Sequence, residues 1–133
     1  MRILVVDDEQ SIRNTLCAFL ERAGYEVDSA EDAQTACDML SQKDYDVVVT
    51  DVIMPRLSGV DLLRCIRGRS ETIQVIIMTG EPSVETAVEA VRRGTHDYLT
   101  KPVRRESLLR AVGQAARVKA LIDEKEALER ENR

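Results

Sequence analysis

Along most of this chain the apolar residues switch repeatedly between two periods, and that switching is the strongest constraint on its fold. Ile3-Leu4-Val5-Val6 is a short β-branched run that reads as a strand. Ile12, Leu16, Phe19 and Leu20 then recur at helical spacing, and Gly24 stands where a left-handed cap closes a helix. The cycle repeats four more times. Strands are expected at Tyr25 to Ser29, Asp46 to Asp51, Gln74 to Thr79 and Asp97 to Thr100. Helices are expected around Ala33-Ala36-Cys37-Leu40, Val60-Leu63-Ile66 and Val84-Ala87-Val88-Val91, with Gly94 ending the fourth. A last helix begins near Arg105 with Leu108, Leu109 and Val112 on one face. Five strand–helix units in a row imply an α/β fold with a five-stranded parallel sheet covered on both faces. The third strand is apolar on both sides and belongs in the middle.

Composition limits what such a domain can do. At 133 residues with 44% hydrophobic and 32% charged side chains, the chain can bury a core without metal or disulfide staples. The net charge is −5 with no long basic run, which argues against direct binding of nucleic acid. No apolar run reaches the roughly 18 residues a membrane span needs, and the acidic Asp7-Asp8 comes too early for a signal peptide. The three cysteines, Cys17, Cys37 and Cys65, show no metal-site spacing. They are expected to be packing residues in a reducing cytoplasm, with no disulfide framework.

In an open parallel sheet, ligands bind beyond the carboxyl ends of the strands. The first strand ends in Asp7 and Asp8, the third in Asp51 and the fourth in Thr79, and the fifth runs into Lys101-Pro102. Three carboxylates at one edge repel one another unless a cation joins them. Hard oxygen donors without cysteine or histidine point to Mg²⁺. Mg²⁺, a hydroxyl and an ammonium around a carboxylate suit the holding of a phosphoryl group, and a carboxylate can itself accept it as an acyl phosphate. Taken singly, each residue has a plainer reading. The aspartates serve as helix caps or turn residues, Thr79 as a β-former, and Lys-Pro as an ordinary loop.

Those residues, in that order, resemble a family. Asp7-Asp8, Asp51-x-x-Met54-Pro55-x-x-x-Gly59, Thr79-Gly80 and Asp97-Tyr98-x-x-Lys101-Pro102 look like the receiver domain of bacterial two-component response regulators. The resemblance spans residues 1 to 116 and implies the flavodoxin-like strand order 2-1-3-4-5. It implies that Asp51 accepts phosphate from a sensor histidine kinase. It also implies that Asp8, Asp51 and the backbone carbonyl of Ile53 bind Mg²⁺ directly, with Asp7 acting through water. Thr79 matches the hydroxyl that moves toward the phosphoryl group, Lys101 its charge partner and Tyr98 the switch aromatic. The bond before Pro102 is expected to be cis by the same resemblance. A phosphatase using an aspartyl phosphate would carry D-x-D, where this chain has Asp7-Asp8-Glu9. A dinucleotide-binding fold would need a glycine-rich first turn. A stand-alone receiver acting through protein contacts and an aspartyl-phosphate phosphatase are the alternatives to a transcription regulator.

Residues 117–133 differ in kind. Ten of these 17 residues are charged, five of each sign, and no Gly or Pro follows Gly113. Val118, Leu121 and Leu128 fall on a and d positions of a heptad, with Lys125 and Asn132 at the other a positions. This is expected to be a helical linker that extends from the domain, continues into a longer protein and pairs with a second copy. Glu81-Pro82, the Asp97 to Pro102 stretch and the ending Leu128-Glu129-Arg130-Glu131-Asn132-Arg133 are similar to the start of sigma-54-dependent activators. That implies ATPase and DNA-binding domains downstream in the full-length protein.

Overall fold

A computed structural model of the chain describes residues 1–51, 59–80, 92 and 94–132. Its elements run β1 (Arg2–Val6), α1 (Gln10–Arg22), β2 (Glu26–Ala30), α2 (Ala33–Gln42), β3 (Val47–Asp51), α3 (Gly59–Arg69), β4 (Gln74–Thr79), β5 (Asp97–Thr100) and α4 (Arg105–Glu131). The helix expected over 84–91 lies outside the described residues.

All five strands are parallel, in the order β2-β1-β3-β4-β5. The two-residue period of a strand sorts their side chains onto two faces. Leu4, Val6, Val48, Val75 and Ile77 meet Ala33, Ala36 and Leu40 of α2 and Leu62, Leu63 and Ile66 of α3. Ile3, Val5, Val47, Val49, Ile76 and Met78 meet Leu16 and Leu20 of α1 and Leu108, Ala111, Val112 and Ala115 of α4. Every residue of β3 is buried, as its two-sided apolar run requires. Burial of each Leu or Ile in these layers is worth about 1.5–3 kcal/mol.

Several boundaries have visible causes. β2 starts at Glu26 rather than Tyr25 because the Tyr25 N–H is used to finish α1, donating to the Leu20 carbonyl at 3.2 Å. Gly24, at φ +97°, makes that reversal possible. Asp32 caps α2 through a 2.7 Å bond from the Thr35 N–H.

Two features depart from the sequence expectation or add to it. Cys37 and Cys65 are joined by a disulfide, where separate packing thiols were expected. The two residues lie 28 apart in sequence, but α2 and α3 sit side by side and bring their Cα atoms to 6.2 Å. An odd count of cysteines left room for one pair and one free thiol, Cys17. The second feature is α4, which runs unbroken from Arg105 to Glu131 and buries Lys119. The Lys119 ammonium pairs with Asp123 one turn along and lies 3.7 Å from Asp46, just before β3. Asp46 also accepts the Arg2 N–H at 2.9 Å.

The edge strand β2 is tied down by Asp28, which accepts from the buried Tyr45 hydroxyl at 2.6 Å and from Lys43 at 3.4 Å. The Tyr45 bond, ahead of Lys43, holds the Asp28 carboxyl below its usual value. A depressed carboxyl stabilises the fold above its unfolded pKa and loses that contribution as pH falls through its folded value. Tyr45→Phe is therefore expected to cost about 1 kcal/mol at pH 7. That gap should narrow as pH falls below about 3.8, the ordinary value for the group. Urea denaturation of both proteins at pH 7 and pH 3 measures it, and a gap that widens in acid contradicts the assignment.

Candidate functional site

The parallel register stacks the strand ends at one edge of the sheet. Val6 pairs with Thr50, so Asp7 and Asp51 stand side by side one step further on. Asp51 pairs with Met78, which places Thr79 beyond it on the next strand. Thr79 in turn pairs with Thr100, and its carbonyl accepts the Lys101 N–H at 2.7 Å. Residues scattered over almost the whole chain are thus collected by backbone geometry alone.

The side chains complete the cluster. The Lys101 ammonium donates to Asp7 Oδ2 and to Asp51 Oδ2, each at 2.6 Å. Asp7, Asp51 and Thr79 are buried, whereas Asp8 is exposed. Burial works against the charge on Lys101, but the hydrogen bonds it donates to Asp51 and Asp7 outweigh it and hold the ammonium above its usual pKa. The peptide bond between Lys101 and Pro102 is cis. Asp7 is anchored further: Oδ1 accepts the Glu9 N–H at 2.9 Å, the carbonyl accepts from Arg13 at 2.7 Å, and the N–H donates to the Ala30 carbonyl at 3.2 Å.

The structure therefore brings Asp7, Asp8, Asp51 and Lys101 together, with Thr79 at the end of the adjacent strand. Tyr98 lies on β5, half-buried against the core layer shared by α2 and α3. Ile53 lies outside the described residues. Arg13 escaped the sequence reading. Its contact needs a long side chain reaching back from the first turn of α1, and a single arginine on a polar helix face gives no signal of that.

The carboxylate oxygens of Asp7, Asp8 and Asp51 lie within 4.8 Å of one another. Three hard oxygen donors, with no sulfur or imidazole among them, fit Mg²⁺, and the exposure of Asp8 leaves room for water in its shell. The arrangement can hold an anionic group against Asp51 while a fixed ammonium and a hydroxyl-bearing strand end stand beside it.

Lys101 holds together two buried like charges, so removing it should expose their repulsion. Lys101→Met is expected to lower stability by about 3 kcal/mol in metal-free buffer. Urea denaturation measures this, and a variant as stable as the parent would show that other contacts hold the two carboxylates.

Comparison with known proteins gives a consistent picture. Residues 3–113 match the family model for the response regulator receiver domain. Response regulator MprA of Mycobacterium tuberculosis is 38% identical over 122 residues, covering 92% of this chain and 50% of that protein. The chain thus spans about half the length of the curated relatives it matches. A crystal structure of NtrX from Brucella abortus in complex with ATP superposes with a TM-score of 0.88 at 32% identity, covering 96% of this chain and 29% of that one. The solution structure of a beryllofluoride-activated NtrC4 receiver domain dimer gives 0.84 at 38% identity, covering 89% of this chain and 98% of that one.

Proposed function

Because this chain belongs to the response regulator receiver domain family, we propose that Asp51 is the residue through which it accepts a phosphoryl group from a sensor histidine kinase. The observation that carries the reading is the Lys101 ammonium held against both Asp7 and Asp51 at the carboxyl edge of the sheet. An Asp51 oxygen attacks phosphorus, the bond to the donor's imidazole nitrogen breaks, and the imidazole leaves with the electron pair. Lys101 supplies fixed positive charge beside the transferring group, and Thr79 a hydroxyl on the neighbouring strand. Asp7, Asp8 and Asp51 would hold Mg²⁺, together with the Ile53 carbonyl that the family resemblance assigns. Bound there, Mg²⁺ supplies charge neutralisation at the phosphoryl oxygens. Asp8, as the exposed member of the cluster, is the carboxylate that reaches solvent. The role is that of a regulatory switch, not a turnover enzyme.

Asp51→Asn is expected to abolish acyl phosphate formation with acetyl phosphate and Mg²⁺ while leaving the circular dichroism spectrum unchanged. Asp8→Ala should weaken Mg²⁺ binding by at least tenfold, and phosphorylation through it. Full-stoichiometry phosphorylation of the Asn variant, read by intact mass, sinks the assignment of Asp51. Tight Mg²⁺ binding by the Ala variant sinks the ligand role of Asp8.

Phosphorylation also supplies enough energy to switch the domain. A phosphoryl group adds charge and three strong acceptors, and each charge-assisted hydrogen bond is worth roughly 1.5–3 kcal/mol. Moving a 1:99 equilibrium to 99:1 takes about 5.5 kcal/mol, so two or three contacts suffice. Thr79 and Lys101 are the partners for those contacts, and Tyr98 on β5 is the aromatic that follows them.

The output we assign is a dimeric transcription regulator. Residues 1–116 form the receiver and residues 117–133 a helical linker toward ATPase and DNA-binding domains of a sigma-54-dependent protein in the cytoplasm. Among the described residues no helix is long and apolar enough to cross a membrane. Support for the dimer comes from the exposure of Val118, Leu121 and Leu128, at 37%, 60% and 53%, with Leu121 and Leu128 on the side of α4 opposite its buried residues and Val118 on the flank between. The buried residues of α4 end at Lys119, and a second copy offers Leu121 and Leu128 beyond it a matching surface. Sedimentation should show a dimer for this chain and a monomer after truncation at Ala116. Leu121→Asp with Leu128→Asp should reverse the pairing. Equal dimerisation of the truncated form would move the interface to the receiver itself.

A further inference from the structure

The two cysteines of α2 and α3 stand apart from everything used so far. Cys37 and Cys65 are both half-buried, on the sheet face opposite α1 and α4. Their Cα atoms, 6.2 Å apart, fall within the 4.4–6.8 Å range a disulfide spans. Partial exposure leaves the pair within reach of a small thiol. Cys17 provides an internal contrast. It lies on α1 in the other core layer, and burial, followed by the charge of Glu21, pushes its thiol up and away from the reactive thiolate.

We propose that Cys37 and Cys65 form a reversible thiol–disulfide couple that staples α2 to α3 in answer to the redox state of a small-thiol pool of the glutathione class. The exchange balances as two displacements. One thiolate attacks oxidised glutathione, giving a mixed disulfide and one glutathione thiolate. The second cysteine thiolate attacks the protein sulfur of that mixed disulfide, closing the Cys37–Cys65 bond and releasing a second glutathione thiolate. Two electrons pass from the protein to the glutathione disulfide. The staple acts on the helix that follows β3 in the chain, Gly59 opening α3 eight positions after Asp51. It would be a second, covalent input to the domain, and it does not depend on the assignment of Asp51.

The test is to equilibrate the whole chain over a series of reduced-to-oxidised glutathione ratios, trap free thiols by alkylation and read intact and peptide masses. The expected result is an intramolecular Cys37–Cys65 disulfide whose fraction titrates with the ratio, while Cys17 remains alkylated throughout. Thermal melts of the same samples should show a Tm about 10 °C higher for the oxidised form, from closure of a loop of this length. Cys65→Ser and, separately, Cys37→Ser should remove both the bond and the shift. The proposal is overturned if the pair stays reduced in excess oxidised glutathione or stops at the mixed disulfide. It is equally overturned if the bond forms but resists reduction at every ratio, or if Cys17 takes part in it.

Discussion

One ammonium group organises the carboxyl edge of this domain. Lys101 donates to Asp7, 94 residues away in sequence, and to Asp51, 50 residues away. Without a cation between them, two buried carboxylates at adjacent strand ends would oppose the pairing of β1 with β3 that places them there. The ammonium turns a repulsive pair into a bridged one, and Lys101 in turn is placed by its own backbone, whose N–H is held by the Thr79 carbonyl. The fold and the site therefore impose the same demand. Strands β1, β3, β4 and β5 must be parallel and in register for three anionic groups, a hydroxyl and a cation to meet at one edge.

The sheet keeps its two faces for different work. The layer of α1 and α4 carries the longest helix, with its exposed Leu121 and Leu128. The layer of α2 and α3 carries the cysteine pair and the half-buried Tyr98. Both layers rest on β3, which is buried along its whole length and ends in Asp51. Any shift at that end is felt by side chains of both layers, because successive residues of the strand belong to opposite faces.

Most of this was legible in the sequence because periodicity is a local signal. The β-branched runs at Ile3 and Val47, the helical spacing of Leu16 and Leu20, and Gly24 at a helix end each declare themselves within a few residues. The edge cluster was legible because a parallel sheet makes strand ends converge, so that Asp7, Asp51, Thr79 and Lys101 could be gathered from their positions alone. What escaped depends on long-range placement. Nothing near Cys37 announces Cys65; only the side-by-side packing of α2 and α3 does. Lys119 reads as one more charge in a polar tail, and its burial follows from the path of α4 past Asp46. The one-residue shift of β2 came from a competing use of the Tyr25 N–H, which a strand pattern does not record.

Lys119 also carries a geometric consequence. Its seat against Asp46 fixes the azimuth of α4 on the body of the domain at a point four residues past Ala115, where core packing is thinning out. A helix turns about 100° per residue, so the heading of Leu121 and Leu128 is set by this one anchored residue. Within a symmetric pair joined along that line, the two receiver bodies would be oriented by the same anchor, much as two flags are oriented by where each is pinned to its pole. Adding or removing a single residue after Lys119 would leave the core, the carboxylate edge and the helix intact while swinging the pair by more than a quarter turn.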